Sequence, residues 1–150
     1  MPAFITFGRV LFAVLFIYSG ATKLFDVQNT TNAIASKVVI PALLTPYTDQ
    51  LEAAVGGMKT PQMLALAVGI FEVVAGLMIA VNFGARFFAL LLIVFVLMAT
   101  FYFHDFWNQA SPENAKTLID ALKNLSIVGA LFMIAGYGRG PRSSEPAYDV

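Results

Sequence analysis

The chain has 150 residues, which at roughly 100–200 residues per domain makes one domain. Its residues are 59% apolar and 12% charged, against roughly 45–50% and 25% in a soluble domain, and its mean hydropathy is +0.77. So few charges cannot cover so apolar a chain in water, which excludes an ordinary soluble domain and a disordered chain and indicates an integral membrane protein.

Nine Lys and Arg balance nine Asp and Glu. Without a net basic field there is no counterion release to drive phosphate binding, so a nucleic-acid partner is excluded. The absence of Cys removes disulfides, thiolate metal sites and CxxC redox pairs. A single His removes a His-rich metal site and a haem held by two His of one chain. No metal site and no intrinsic cofactor are expected. Any redox role must run through a bound small molecule or a partner protein.

The first apolar segment runs from Phe4 to about Thr22, interrupted only by Arg9 and followed by Lys23. Ser19-Gly20-Ala21 would suit signal-peptide cleavage, but the basic region before Val10 is weak, so a retained helix is expected. Asp26 to Lys59 is long for a structureless loop. It carries Ile34, Val38, Val39, Ile40, Leu43 and Leu44, broken by Pro41 and Pro46, then a helical stretch from Asp49 to Ala54. One or two short helices are expected there, at the membrane surface or folded over the bundle. The second apolar segment follows a Thr60-Pro61 start signal and runs from Met63 to Phe83, with Glu72 near its middle. Asn82-Phe83-Gly84 is a short turn, making the second and third segments antiparallel neighbours. The third runs from Phe87 to Phe103 between Arg86 and His104. A fourth helix is expected from Pro112 to about Gly136, with Ser111 as its cap. Each segment reaches the roughly 17–25 residues a span needs. The predicted fold is all-α: an integral membrane four-helix bundle over residues 1–140, with a long extramembrane segment between the first two spans. Residues 141–150 form a polar, flexible tail. The Arg residues at 9, 86, 139 and 142 lie on short connections on one side, which places both termini in the cytoplasm.

An ionisable side chain inside a bilayer costs about 2.5–3.5 kcal/mol on insertion scales, so Glu72 needs a reason. Ala65, Gly69, Gly76 and Ala80 share its helix face, and small residues at that spacing mark a packed face. Arg9, Phe16 and Lys23 form a stripe on the first helix, with Ser19 and Gly20 close by. Counting rise per residue from the segment ends puts Arg9 about 8 Å and Lys23 about 12 Å from the depth of Glu72. Arg9 is therefore the expected ion-pair partner. Lys23, His104, Asp105, Lys123 and Asn124 are expected to gather at the outer mouth, with Glu72 deeper. This polar cleft suits a small molecule or proton exchange, with Glu72 and His104 as the proton-handling groups. Plainer readings stand beside it. Glu72–Arg9 could only fix the helices, Lys123 could only snorkel, and Tyr102, Phe106 and Trp107 could form an interfacial belt around His104.

Several short motifs, in order, resemble the DoxX family: Gly8-Arg9, Ser19-Gly20-Ala21-Thr22-Lys23-Leu24, Phe71-Glu72 with Ala75-Gly76-Leu77, Phe103-His104-Asp105-Phe106-Trp107, and Leu122-Lys123-Asn124-Leu125. The resemblance spans Gly8 to Gly140. The chain departs from the family pattern in its long Asp26–Lys59 segment. The resemblance implies a four-helix inner-membrane protein of a family associated with sulfur-compound:quinone electron transfer and with oxidative or thiol stress. Two functions follow as expectations: a quinone-linked redox component, with a quinone bound near Glu72, or a non-catalytic accessory subunit docked on a larger electron-transfer complex. Expected partners are the lipid bilayer and either other membrane proteins or further copies of the chain. A carrier for a small lipid-soluble molecule ranks last, because four helices are few for a transporter.

Overall fold

The structure, a computed structural model, describes residues 2–137. All regular structure among them is helical: α1 (Pro2–Phe25), α2 (Val27–Lys37), α3 (Thr45–Ala54), α4 (Thr60–Ala80), α5 (Ala85–Phe103) and α6 (Glu113–Tyr137), with 3-10 turns at Ala42–Leu44 and Phe106–Asn108. Four helices, α1, α4, α5 and α6, are long and apolar enough to cross a membrane, as expected. At 1.5 Å per residue the 21 residues of α4 extend about 32 Å, close to the hydrocarbon thickness of a bilayer. Large apolar side chains such as Phe87, Phe101 and Leu125 point outward. In water they would form an unfavourable patch, whereas in lipid they are solvated. The expectations for Arg139, Arg142 and the polar tail fall outside the described residues.

Local signals explain the helix ends. α4 starts at Thr60-Pro61, where a proline in the first turn loses no helical hydrogen bond. Its first N–H groups need acceptors from elsewhere. Glu52 of α3 supplies one, accepting from the Thr60 N–H at 2.8 Å and from the Thr60 Oγ1 at 2.9 Å. Asp26 caps α2 by accepting from the Asn29 N–H. The α4–α5 turn needs left-handed backbone at Asn82 (φ 60°) and Gly84 (φ 59°), a conformation these two residue types tolerate best. α6 begins at Glu113, one residue later than expected.

Backbone contact between α1 and α4 sets the bundle. A Cβ added to Gly20 would lie 2.5 Å from the Gly69 carbonyl oxygen, and one on Gly76 would lie 2.8 Å from Ile17 and 3.1 Å from the Ala13 carbonyl oxygen. Only glycine permits that approach. Around it, Ala13, Phe16, Ala75 and Ile79 meet Ala89, Leu92 and Val96 of α5 and Val128 and Leu131 of α6 in one buried cluster. This cluster fills the half of the bundle near the Asn82 turn. In the half near Lys23 and His104 the helices enclose a cavity instead.

The segment between α1 and α4 holds α2, a 3-10 turn and α3, matching the expected short helices. Neither helix is long enough to cross a bilayer. α2 packs on α4 and touches α1, so it folds over the bundle.

Candidate functional site

The small residues of α4 turn Glu72 inward, where it is 3% exposed. Its partner is Lys23. The Lys23 Nζ lies 2.7 Å from Glu72 Oε2 and donates to Ser19 Oγ at 2.6 Å. The Ser19 hydroxyl in turn donates to both carboxylate oxygens, at 3.2 and 3.3 Å. Lys23 and Ser19 are one helical turn apart on α1, so two adjacent turns present two linked polar groups to one carboxylate.

The expected Arg9–Glu72 pair is therefore corrected. Gly20 packs directly against Gly69, Glu72 and Val73, which fixes the depth of α1 against α4. From Gly20, Lys23 is three residues away, about 4.5 Å along the axis, and Arg9 is eleven residues the other way, about 16 Å. Arg9 thus sits near the opposite end, where its buried Nε has no hydrogen-bond partner among the described residues.

The cluster opens into a cavity of about 680 Å³ among α1, α2, α4, α5 and α6. That volume lies within the roughly 300–1,000 Å³ of small-molecule sites. Ser19, Lys23 and Glu72 supply polar groups from α1 and α4, and Tyr102, His104 and Asn124 supply them from α5 and α6. Most other lining is apolar, including Phe16, Val68, Phe95 and Ile127. Asn124 is anchored by its Nδ2, which donates to Thr100 Oγ1 at 2.9 Å and joins α6 to α5.

α2 and the residue that caps its end form the roof through Thr30, Ala33, Ile34 and Val38. Its far end is fastened where Lys37 pairs with Asp105 at 3.1 Å. Gln109 donates to Asp105, and Thr117 of α6 donates to Gln109, so the fastening reaches both α5 and α6.

Of the residues expected to gather, Glu72, Lys23, His104 and Asn124 share this cavity. Asp105 sits beside it as the anchor of the roof. Lys123 does not join. It pairs with Asp120 one turn away on an exposed face of α6. Ser19, Thr30, Lys37 and Tyr102 were not among the expected site residues. Ser19 was legible as the residue four before Lys23, whereas Thr30 and Lys37 depend on how α2 folds back, which no local pattern specifies.

Among the described residues, four membrane-length helices surround a roofed, mostly apolar cavity with a buried ion pair, the architecture of a small multi-pass membrane protein. The chain belongs to the DoxX family, whose profile matches residues 4–105, from α1 to the end of α5. The inner membrane protein YphA of Escherichia coli (strain K12) is 24% identical over 144 residues, covering 96% of this chain and 89% of that protein. The Surfeit locus protein 4 homolog of Schizosaccharomyces pombe is 34% identical over 82 residues, covering 53% of this chain and 27% of that longer protein. No solved structure matches the chain.

Proposed function

We propose that the chain is a quinone-binding component of an inner-membrane redox pathway, with the quinone head group held in the cavity. The observation that carries this reading is the Lys23–Ser19–Glu72 cluster opening into a mostly apolar cavity of about 680 Å³. Charge supports a neutral ligand. The Lys23 ammonium and Glu72 carboxylate balance each other, so a charged head group would add an uncompensated charge to a low-dielectric site. A quinone ring brings two carbonyl acceptors and no charge. Lys23 and Ser19 carry donors that could meet one carbonyl, and His104 could meet the other. Glu72 and His104 are the groups able to exchange protons as the quinone takes up electrons. The electrons come from a partner redox protein, since this chain carries no thiol pair. Placement in the inner membrane is supported by the likeness to the E. coli inner membrane protein. Arg9 and Arg86 at one end of the bundle favour a cytoplasmic location for both termini.

The test is quinone titration of the purified chain in lipid nanodiscs, comparing the native protein with Glu72→Gln. Gln preserves shape and removes the charge. Weakening by about tenfold or more, with helix content unchanged, is the expected result. Equal binding by the two proteins overturns the reading.

A further inference from the structure

The helices close unequally around the cavity. α1 and α4 leave no room for a Cβ where Gly20, Gly69 and Gly76 meet. α5 and α6 are joined beside the cavity by the Asn124–Thr100 hydrogen bond. α4 and α5 are tied at one end by the Asn82–Gly84 turn. Further along, they meet through Phe71 and Phe95, whose rings pack edge to face with centroids 5.6 Å apart. Beyond that pair, toward His104, α4 carries Leu64 and α5 carries Met98. Both line the cavity, yet they are 38% and 55% exposed. Apolar side chains that line an internal cavity from two adjacent helices and also face outward mark an opening between those helices. Both lie in membrane-length helices, so the opening faces hydrocarbon.

α1 and α6 barely touch, and Leu15 of α1 also lines the cavity at 46% exposure, but Ile127 and Asn124, the cavity-lining residues of α6, are both partly covered, so α4–α5 is the seam where both helices present an outward-facing apolar lining residue. The roof is a poor exit for an apolar group, because the α2 sequence, Val-Gln-Asn-Thr-Thr-Asn-Ala-Ile-Ala-Ser-Lys, is polar overall and Lys37–Asp105 fastens its end.

We propose that the α4–α5 seam, between the Phe71–Phe95 pair and the roof, is a lateral doorway to the bilayer. The head group of the ligand sits at the Lys23–Ser19–Glu72 cluster, and its tail leaves past Leu64 and Met98. This rests on the head-group reading above and narrows the ligand to an amphiphile with a long isoprenoid or acyl chain. A long isoprenoid or acyl chain does not fit beside its ring in a cavity of about 680 Å³, so the chain has to leave it, and an apolar doorway solvates the chain where the polar roof would not. A compact water-soluble metabolite would have no use for the seam.

The test uses three benzoquinones with one head group, carrying no tail, an n-decyl tail or a long isoprenoid tail. Each is titrated in nanodiscs against the native chain, Leu64→Trp, Met98→Trp and Leu15→Trp. All three substituted positions are exposed, so folding should survive. Trp at 64 or 98 is expected to leave the tailless ring within about twofold and to weaken tailed quinones about tenfold or more. A loss for both tails supports a doorway open to any chain, and a loss for the isoprenoid tail alone supports one shaped for branched chains. Leu15→Trp, which lines the cavity away from the seam, is expected to shift all three affinities alike, with no extra loss for the tailed quinones. Tailed quinones binding Leu64→Trp and Met98→Trp as they bind the native chain, or a tail-selective loss at Leu15→Trp instead, overturns the doorway and leaves the head-group reading intact. If no quinone binds the native chain, the head-group reading fails and the doorway falls with it.

Discussion

Removing the Lys23 ammonium leaves the Glu72 carboxylate among apolar side chains, with Ser19 as its one remaining hydrogen-bond donor among the described residues. Orphaning one member of a buried pair costs far more than the pair contributes, because the desolvation of the remaining charge goes uncompensated. Lys23→Met is therefore expected to destabilise the protein by about 3 kcal/mol, at the low end for such a loss because Lys23 is partly exposed. The double change Lys23→Met with Glu72→Leu is expected to return within about 1 kcal/mol of the native protein. Reversible unfolding in mixed micelles measures both, and additive losses would contradict a direct pair. The choice between Arg9 and Lys23 shows where the sequence stopped being legible. The burial of Glu72 followed from its small-residue face alone. Its partner depended on the vertical register of α1 against α4, and counting from segment ends misses that by several residues. The Gly20–Gly69 contact sets the register, and it is a property of two surfaces meeting.

The α1–α4 seam turns on whether a side chain fits at a few positions. Gly20→Val is expected to force the helices apart at a cost of about 1–3 kcal/mol, since the obstructing atom is a backbone carbonyl that cannot rotate away. Gly129→Ala, with open space around it, is expected to be neutral or to stabilise by up to about 1 kcal/mol through helix propensity. Thermal unfolding of the two variants checks the contrast, and similar losses would show that the seam is looser than described. α3 is attached differently. The Thr60 backbone N–H, then the Lys59 ammonium and the Thr60 hydroxyl, hold the Glu52 carboxyl down to about 2 from its ordinary value of 4.5. The same contact raises the Lys59 ammonium. Because the folded value is the lower one, this contact contributes its full stability above the unfolded value and loses it as pH falls from 4.5 toward 2. The Thr60 amide resonance is expected to titrate near 2 in the native protein and to lose that step in Glu52→Gln. A midpoint at 4.5 would mean that Glu52 does not hold the start of α4. At this scale the four spans were readable from hydropathy and start signals, because each is decided by its own residues. The path of α2 was not. Its mixed composition fits a surface helix anywhere, and contacts distant in sequence, Lys37 with Asp105 above all, bring it over the cavity.

The whole molecule divides into a packed half near the Asn82 turn and a hollow half near Lys23 and His104, with the buried ion pair where they meet. Packing residues hold the first half rigid, and the polar residues collect around the second. On the proposed reading, the hollow half holds a lipid-soluble quinone against Lys23, Ser19 and Glu72. Native mass spectrometry of the assembly, extracted in the mildest workable detergent, weighs retained small molecules and partner chains together. One quinone mass per copy of the chain is expected in the native protein and is expected to be lost in a folded Glu72→Gln variant. A native particle that carries no quinone, or a Glu72→Gln variant that keeps it in full, would overturn the quinone reading.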